Sequence, residues 1–393
     1  MKIYLVTIFL FLKSVDGWSQ QLESEDLLET NIITNPPKLS INGYIKDMQA
    51  LDFTEDFESL NATNLIHNRI NIKWKPIRNF TSYLELRNRF IWGDDVQNIP
   101  NYDKLLRNSN ETVNLSKVWF SKSSYVMHTN IDRLSVEYKL KKIAIRVGRQ
   151  RINWGMSTIW NPNDLFNTYN FLDFDYEERP GSDAVKLTSN IGNFSGIEIA
   201  YTQGNKTSDK VLAGKYFFNT KGYDIQLISG LLGKRFTAGL GWAGSIGDVG
   251  FKGETQIFSE TSDDEFQINL TIESDYVFKN GLYINSIFLF NNNGIDSKFI
   301  NSPQLNFSFS PTYLMPTKWN FMIASRKEIT PLFSANLSVL YTPGTDLLML
   351  LPGLKYSLSE NLNADLIWQS IFVNLNQFRA LNHRGFLRLI YNF

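Results

Sequence analysis

Apolar and polar residues alternate with a period of two along much of the chain. Residues 66–74 show the pattern clearly, because Ile70 and Ile72 fall on one side while Arg69 and Lys73 fall on the other. The same alternation recurs in segments 80–92, 133–140, 249–257 and 266–273. Successive side chains of a β-strand point to opposite faces, so each set occupies one face of a strand. Helical spacing is not sustained beyond the first 19 residues, and the pattern therefore predicts an all-β protein.

The length of these segments separates a membrane barrel from a soluble β-protein. They run to about ten residues, which suffices to cross a bilayer at the tilt of a barrel, whereas soluble strands average about five to six. Aromatic residues also lie near the ends of the apolar faces, as interfacial belts require. They are Trp74, Phe80, Trp92, Trp242, Phe258, Tyr283, Phe290, Tyr341, Trp368 and Tyr391. The fold class predicted is a transmembrane antiparallel β-barrel, preferred over a soluble sandwich.

Short and long connections alternate between the predicted strands. The short candidates are 75–79, 140–142, 190–193, 220–222, 245–248, 279–281 and 359–361, and the long ones are 50–63, 93–130, 152–181 and 291–316. In membrane barrels short turns face the periplasm and long loops face the exterior. This assignment predicts about 18 strands, with about 16 as the alternative, and an even number returns both ends of the barrel to the periplasm.

The first residues have the pattern of a secretory signal peptide. Lys2 supplies a positive charge, residues 3–12 are apolar, and small residues Gly17 and Ser19 precede a predicted cleavage site after residue 19. An anchoring helix is the alternative, but about ten apolar residues fall short of the roughly 20 that span a bilayer. Residues 20–37 are polar and predict a flexible periplasmic lead-in, and residues 38–393 form the predicted barrel.

Composition excludes several classes of function. Lys and Arg total 39 and so do Asp and Glu, so the basic surface of a nucleic-acid binder is missing. The chain has no cysteine, which excludes disulfides, thiolate zinc sites and cysteine nucleophiles. Its three histidines are far apart in sequence, and we predict neither a metal site nor a cofactor. The G-x-G-x-x-G sequence at 239–244 lacks the following helix of a dinucleotide site, so we interpret it as strand or turn glycines.

The most distinctive segment joins a predicted strand to a long polar loop. Residues 148–150 read Gly-Arg-Gln, residues 154–155 read Trp-Gly, and Asn, Asp and Arg are frequent as far as residue 183. Over roughly residues 143–187 the segment resembles porin-type barrels of the Gram-negative outer membrane, including the alginate-export-like group and related substrate-specific porins. The resemblance implies a channel whose loop 152–181 folds toward the lumen, with Arg149, Arg151 and Asn153 near the constriction. The basic track of exporters of acidic polysaccharide is not evident, since the charges balance.

Charged residues on the polar strand faces are the candidate pore lining. A barrel of this size leaves a lumen that its own side chains cannot fill. Mixed charges across a lumen create a transverse field, although lumenal ion pairs also brace a barrel wall, and we expect about half of these residues to do so. The candidates are Arg69, Lys73, Glu85, Arg87, Arg89, Glu137, Lys139, Arg146, Lys252 and Glu254.

An acidic run in the long loop has two interpretations. Asp173, Asp175, Glu177 and Glu178 supply oxygen ligands that Ca²⁺ accepts. Such a run also pairs with nearby arginines and pins a loop, and Arg149, Arg151 and Arg179 are in reach along the sequence. The regular spacing of a calcium loop is missing, which favours the second interpretation. A hydrolytic site would need a histidine, and the loop contains none.

The last segment, from Gly385 to Phe393, alternates and ends in an aromatic residue. It resembles the C-terminal signal by which the barrel-assembly machinery recognises outer-membrane proteins, and an ordinary last strand is the alternative. The function predicted is passive diffusion of small polar solutes through an outer-membrane porin, with outer-membrane lipid, the assembly machinery and the solute as partners. A surface-binding or adhesion barrel with a blocked lumen, or an outer-membrane enzyme, is the alternative. We predict no catalytic residue and no nucleic-acid partner, and the oligomeric state stays open.

Overall fold

The computed structural model describes residues 38–106, 111–168, 170–173, 175, 178–262, 264–299, 307, 309–375 and 377–393. The predicted signal peptide, residues 1–19, and the predicted lead-in, residues 20–37, lie outside this part of the chain.

Nineteen strands form one antiparallel sheet in the described part of the chain. The strands are β1 (Leu39–Phe53), β2 (Leu60–Ile77), β3 (Phe80–Gly93), β4 (Ser116–Ser121), β5 (Tyr125–Leu140), β6 (Ile143–Gln150), β7 (Ser182–Asn190), β8 (Ser195–Thr202), β9 (Val211–Thr220), β10 (Tyr223–Leu232), β11 (Arg235–Ile246), β12 (Val249–Phe258), β13 (Gln267–Val277), β14 (Leu282–Asn291), β15 (Trp319–Thr330), β16 (Phe333–Thr342), β17 (Leu347–Ser359), β18 (Leu362–Asn374) and β19 (Phe378–Asn392). Helices α1 (Asp94–Asn98) and α2 (Tyr102–Leu105) and a 3-10 turn (Thr207–Asp209) lie in loops. None of the helices described is long and apolar enough to cross a membrane.

The sheet closes on itself and makes a barrel of eighteen strands. The first strand pairs with the last over ten residue pairs, from Tyr44↔Asn392 to Phe53↔His383. Strand β4 is not one of these eighteen strands. Along one edge β5 pairs with β3, and along its other edge it pairs first with β4 and then with β6, which continues the barrel. The predicted eighteen-stranded antiparallel barrel is therefore confirmed.

Connections at the two ends of the barrel differ in length, and we call these the turn end and the loop end. At the turn end, Lys221 and Gly222 form a two-residue turn with φ of 51° and 81°, the positive values that suit tight hairpins. The longest described connections, 94–124, 151–181 and 292–318, lie at the loop end. Three loop-end connections depart from the pattern, because 233–234, 343–346 and 375–377 are no longer than the connections at the turn end.

Outward side chains form an apolar band with aromatic borders. On β5 the outward residues Leu134, Val136 and Tyr138 are exposed, and the residues between them are buried. Aromatic contacts border the band at the turn end, where the Trp74 and Phe80 rings pack edge to face. Similar contacts border it at the loop end, around Phe90, Trp92 and Tyr125. Such a band with aromatic borders is typical of the lipid-facing surface of membrane barrels.

Part of the barrel interior is a hydrophobic core. The inward residues of β14–β18 are largely apolar and buried against side chains of two loop-end connections. Trp160 comes from connection 151–181 and Met315 from connection 292–318, and both are buried there. Strands β14–β18 are therefore apolar on both faces over this region, whereas buried inward charges such as Lys46, Arg69 and Glu254 lie elsewhere on the wall.

Candidate functional site in the barrel lumen

The connection from β6 to β7, residues 151–181, folds into the barrel, and we call it the inward loop. Trp154 is buried beside Ile152 and Leu165 of the same loop. The inward side chains of β7, β8 and β9 are small at this level, where each strand places one alanine: Ala184, Ala200 and Ala213. These small residues leave room for the tryptophan ring, and its Nε1 donates to Glu198 of β8 at 2.7 Å. The first residues of the loop are thus held inside the barrel by hydrophobic packing against one wall.

Two buried carboxylates on β12 and β13 hold the first half of the loop. Glu254 accepts hydrogen bonds from the backbone N–H groups of Met156, Ser157 and Asn163, the last two at 2.6 and 3.0 Å. Glu273 accepts from the backbone N–H and the hydroxyl of Thr158, at 2.8 and 3.0 Å. Each of these hydrogen bonds contributes about 0.5–1.5 kcal/mol, and together they fix the first half of the loop to the wall.

A third carboxylate shapes the loop from within. Asp164 accepts hydrogen bonds from the backbone N–H groups of Trp154 and Gly155, both at 2.7 Å, and pairs with Arg179. Burial raises the pKa of the Asp164 carboxyl, and the Arg179 guanidinium opposes that rise. The two arms of the loop, one near residue 154 and one near residue 179, are joined through this carboxylate.

The second half of the loop reaches the opposite wall, on β1–β3. Asp175 lies 2.8 Å from Nδ1 of His67 and 3.1 Å from Nζ of Lys46. Glu178 lies 3.6 Å from Nε of Arg69 and accepts from the Tyr44 hydroxyl at 3.2 Å. The loop therefore crosses the lumen. Carboxylates of the wall hold its first half, and its own carboxylates hold its second half to the opposite wall.

Four of the predicted lining residues meet in a cluster on β2 and β3. Arg69 pairs with Glu85 and with Asp132, the latter at 2.6 Å, and Arg87 lies 3.3 Å from Asp132. Arg89 lies 3.7 Å from the Asp175 carboxylate of the inward loop. Asp132 joins this inward cluster because the β3–β5 pairing slips by one residue beside it. These charges brace the wall and hold the loop.

Arg149 lies at the root of the inward loop, fully buried. Its Nε is 2.9 Å from Asp183, and its guanidinium also pairs with Glu111 and donates to the Ile131 carbonyl at 3.0 Å. Segment 111–113 thus covers the Arg149 side chain. Arg151 is partly buried and Asn153 is exposed at the start of the loop.

Charged residues between the loop and the turn end remain partly exposed. Arg146 lies 2.6 Å from Glu137, and its guanidinium carbon is 4.6 Å from the ring centroid of Tyr83. Lys139 lies 3.4 Å from the same Glu137. Lys73 is 5.7 Å from the Tyr83 ring centroid. On the neighbouring wall Lys252 lies 3.2 Å from Glu273.

Several residues of the site had not been identified from the sequence. They are Lys46, Asp132, Lys186, Glu198, Lys215 and Glu273. Glu273 lies on the polar face already recognised in segment 266–273, and that face was the available signal. Lys186, Glu198 and Lys215 share their inward rows with alanine and glycine, so the contrast between faces is weak there.

The acidic run is engaged with cations of the barrel wall. Asp175 and Glu178 pair with residues on β1–β3, as described above. Glu177 lies outside the described residues. Within the described part of the chain, no group of three or more His, Cys, Asp or Glu residues is arranged to hold a metal ion.

Comparison with known proteins identifies the architecture. No protein-family model matches the sequence. No curated protein matches it either. Among solved structures, the outer-membrane protein OpdK from Pseudomonas aeruginosa has a TM-score of 0.60, with 8% identity over 90% of this chain and 98% of that one. OccAB4 from Acinetobacter baumannii has a TM-score of 0.58, with 11% identity over 91% of this chain and 100% of that one. Pseudomonas aeruginosa OpdK is also known in a structure with vanillate. The fold of this chain is that of outer-membrane porin barrels.

Proposed function

We propose that the protein is an outer-membrane channel of a Gram-negative bacterium, through which small polar solutes diffuse past the inward loop. The observation that carries this proposal is the loop itself, enclosed by the barrel and held by carboxylate contacts on two walls. An apolar exterior suits a bilayer, and a charged interior suits a solute dissolved in water. The mechanism needs no catalytic group, and the thirteen residues predicted to line the pore keep that proposed role or brace its wall.

Water access on the turn-end side of the loop supports this proposal. The side chains of Lys139, Lys252 and Asp275 are 48%, 21% and 26% exposed, although all three point into the barrel. Because these groups are both inward and wetted, a solute that passes the loop meets charged side chains. Their ion pairs also stiffen the wall around that path.

Export and assembly complete the proposal. The predicted signal peptide would direct the chain across the inner membrane. Leu387, Leu389, Tyr391 and Phe393 are exposed on the outward face of the last strand, which is the face that the barrel-assembly machinery would recognise. Replacing Phe393 with Ser should lower the amount of folded protein in outer membranes, measured by heat-modifiable mobility on gels. Unchanged assembly would contradict this part of the proposal.

Uptake into liposomes tests the proposed function. Proteoliposomes that contain the folded protein should swell in solutions of small sugars, amino acids or vanillate, and should swell little with oligosaccharides. Protein-free liposomes and liposomes with heat-unfolded protein are the controls. Swelling no faster than in these controls would contradict a diffusion channel.

A surface-binding barrel with a blocked lumen is the second candidate, and one observation favours it. The hydrophobic core on the β14–β18 side occupies part of the lumen with Trp160, Phe299 and Met315. If this core and the inward loop together close the lumen, no solute passes and the loop end alone is functional. The uptake experiment separates the two candidates, because only the channel admits solutes.

The charge distribution near the turn end predicts a preference for anions. On β5–β9 the inward side chains near that end include four cations, Lys139, Arg146, Lys186 and Lys215, and two carboxylates, Glu137 and Glu198. Charged rings in a pore set ion selectivity. The balance of charges along the whole chain therefore conceals a local excess of positive charge.

Replacing Lys139 and Lys186 with Gln should lower the permeability of chloride relative to potassium severalfold. The physical reason is the loss of two positive charges from one wall of the lumen. The reversal potential across a salt gradient measures the ratio. Lys327→Gln with Lys234→Gln is the matched control, because Lys327 points outward and Lys234 lies in a turn at the loop end. Equal changes in both double variants would contradict the assignment.

The contact of Asp175 with β1 and β2 should weaken only in acid. Burial would raise the pKa of the Asp175 carboxyl, but His67, Lys46 and Arg89 hold it well below its usual range. A carboxylate with a lowered folded-state pKa contributes its full stability above its unfolded value, about 3.9, and loses it as the pH falls further. Channel noise recorded from pH 7 downward should stay constant to about pH 4 and then rise. Asp175→Asn should be noisy at every pH, and a noise step at the same pH in this variant would contradict the assignment.

A further inference from the structure

We propose that a polar stripe on the outer wall of the barrel is the surface through which two copies of this chain associate in the membrane. The stripe lies on β1, β2, β3 and β5 and consists of Asp47, Gln49, Asn64, Asn68, Asn88 and Thr129. The inference needs the barrel to lie in a membrane but does not depend on conduction through it.

Alternation along the strands places the stripe on the outside. Lys46 and Met48 are buried, and Lys46 contacts the inward loop from the wall, so Asp47 between them points outward and is exposed. In the same way Arg69 points into the lumen cluster, and its neighbour Asn68 points outward.

The stripe lies at the depth of the apolar band. Asp47 is near the middle of the 15-residue strand β1. On the same outward row Ile45 and Leu51 are exposed apolar residues on either side of it. Aromatic residues border this row at the loop end, where Phe53 packs against Trp368 with ring centroids 5.7 Å apart. Charged and amide side chains at such a position face lipid tails, which cannot hydrogen-bond them.

Hydrogen bonds join much of the stripe but leave donors over. The Asn68 amide nitrogen donates to the Tyr44 carbonyl at 3.2 Å, and the Asn88 amide nitrogen donates to Asn68 Oδ1 at 3.3 Å. The Thr129 hydroxyl donates to Asn88 Oδ1 at 2.7 Å and accepts from Trp119 Nε1 at 2.9 Å. Each carboxamide has two N–H groups and uses one of them in these contacts, so each retains a donor.

Asp47 supplies the missing acceptor. The described residues include no hydrogen-bond or ion-pair partner for its carboxylate, and charged side chains on the lipid face of a barrel are destabilising. The register pairs Ile66 with Asp47 and Ile45 with Asn68, which makes Asp47 and Asn68 diagonal neighbours. One patch therefore carries both spare donors and a spare acceptor. A two-fold contact between identical chains requires this self-complementarity, because residue i meets j and j meets i.

The chemistry of the stripe favours a second copy over lipid. Lipid tails offer no donor to the Asp47 carboxylate and no acceptor to the spare amide N–H groups. The outward rows of β8–β14 carry only aliphatic, aromatic, glycine or hydroxyl side chains, so the amides and the carboxylate are confined to one sector of the wall. Confinement to one sector is what a contact with one partner chain requires.

Single-cysteine crosslinking in intact outer membranes tests the proposal. The chain has no cysteine, so Asn88→Cys introduces one thiol in the stripe. Thr255→Cys is the matched control, because Thr255 points outward from the middle of β12. A flexible bismaleimide should give Asn88→Cys a product of twice the monomer mass that contains only this chain, and should leave Thr255→Cys monomeric. No product, a product with another protein, or equal products from both variants would overturn the proposal.

A second experiment replaces polar side chains of the stripe with leucine. In the Asn88→Cys background, Asp47→Leu with Asn68→Leu should abolish most of the crosslinked product while the barrel keeps its heat-modifiable mobility. Persistence of the product at the original yield would show that the stripe does not join the copies, and would overturn the proposal.

Discussion

Replacing Glu254 and Glu273 with Ala should raise the single-channel conductance severalfold and add flicker. The two carboxylates accept hydrogen bonds from three backbone N–H groups and one hydroxyl at positions 156–158, and Glu254 also accepts from Asn163. An intramolecular hydrogen bond contributes about 0.5–1.5 kcal/mol, so the combined loss of these five should free the first half of the inward loop from the wall. A loop that moves off its wall leaves more of the lumen to ions.

Thr255→Ala is the control for that variant, since Thr255 lies beside Glu254 but points outward. Its conductance should equal that of the unmodified protein. A folded double variant with unchanged conductance and unchanged noise would mean that the inward loop does not limit the current. Loss of all conductance would mean that the loop closes the lumen when released.

Replacing Arg69 with Ala should destabilise the barrel by about 3 kcal/mol, because the buried Asp132 carboxylate then keeps only Arg87, and Glu85 and Glu178 lose the guanidinium that they approach. The side chains of Arg69 and Asp132 are 2% and 1% exposed, and Glu85 and Glu178 approach the same guanidinium. Urea unfolding of the protein in detergent micelles measures the change in the free energy of unfolding. Arg69→Lys should lose less of the free energy of unfolding, since lysine retains the charge but not the forked geometry of the guanidinium.

Arg326→Ala serves as the control for the stability experiment. Arg326 and its partner Glu328 are both largely exposed, and exposed ion pairs contribute only about 0–1 kcal/mol. Similar unfolding free energies for Arg69→Ala and Arg326→Ala would contradict the role of the Arg69 cluster as a brace.

Strand faces were predictable wherever the two faces differ strongly in polarity. Over residues 134–140 of β5 and 267–273 of β13 every second residue is apolar, and the outward row follows from that pattern alone. The outward row of the C-terminal strand contains the exposed residues Leu387, Leu389 and Tyr391, although the inward row also contains the apolar residues Phe386 and Ile390. The number of strands followed from counting such segments.

Interior packing was not predictable, because it depends on contacts distant in sequence. The continuous apolar run Leu347–Leu351 gives no preference for either face, and only the structure shows Met349 packed inside the barrel with Trp160. A strand buried on both faces reads as a continuous apolar run. Strand β4 was not predicted from the sequence either, because it is short. It pairs with the part of β5 that extends beyond β6 toward the loop end.

Residues that interrupt the alternation are the hardest to place from the sequence. Arg149 follows Gly148, whose φ of 113° breaks the regular strand, and the structure buries its side chain under Glu111 instead of leaving it on the lumen surface. Asp132 sits where the pairing slips by one residue, so counting along the strand gives the wrong face. The general place of the inward loop, by contrast, was implied by the resemblance over residues 143–187.

Single-channel recording of the purified, folded protein in planar bilayers tests whether the loop-bearing lumen conducts. Discrete and reproducible conductance steps are expected in salt solution, with a reversal potential that favours anions. Silent bilayers, with insertion of folded protein verified by heat-modifiable mobility of the recovered sample, would contradict this expectation.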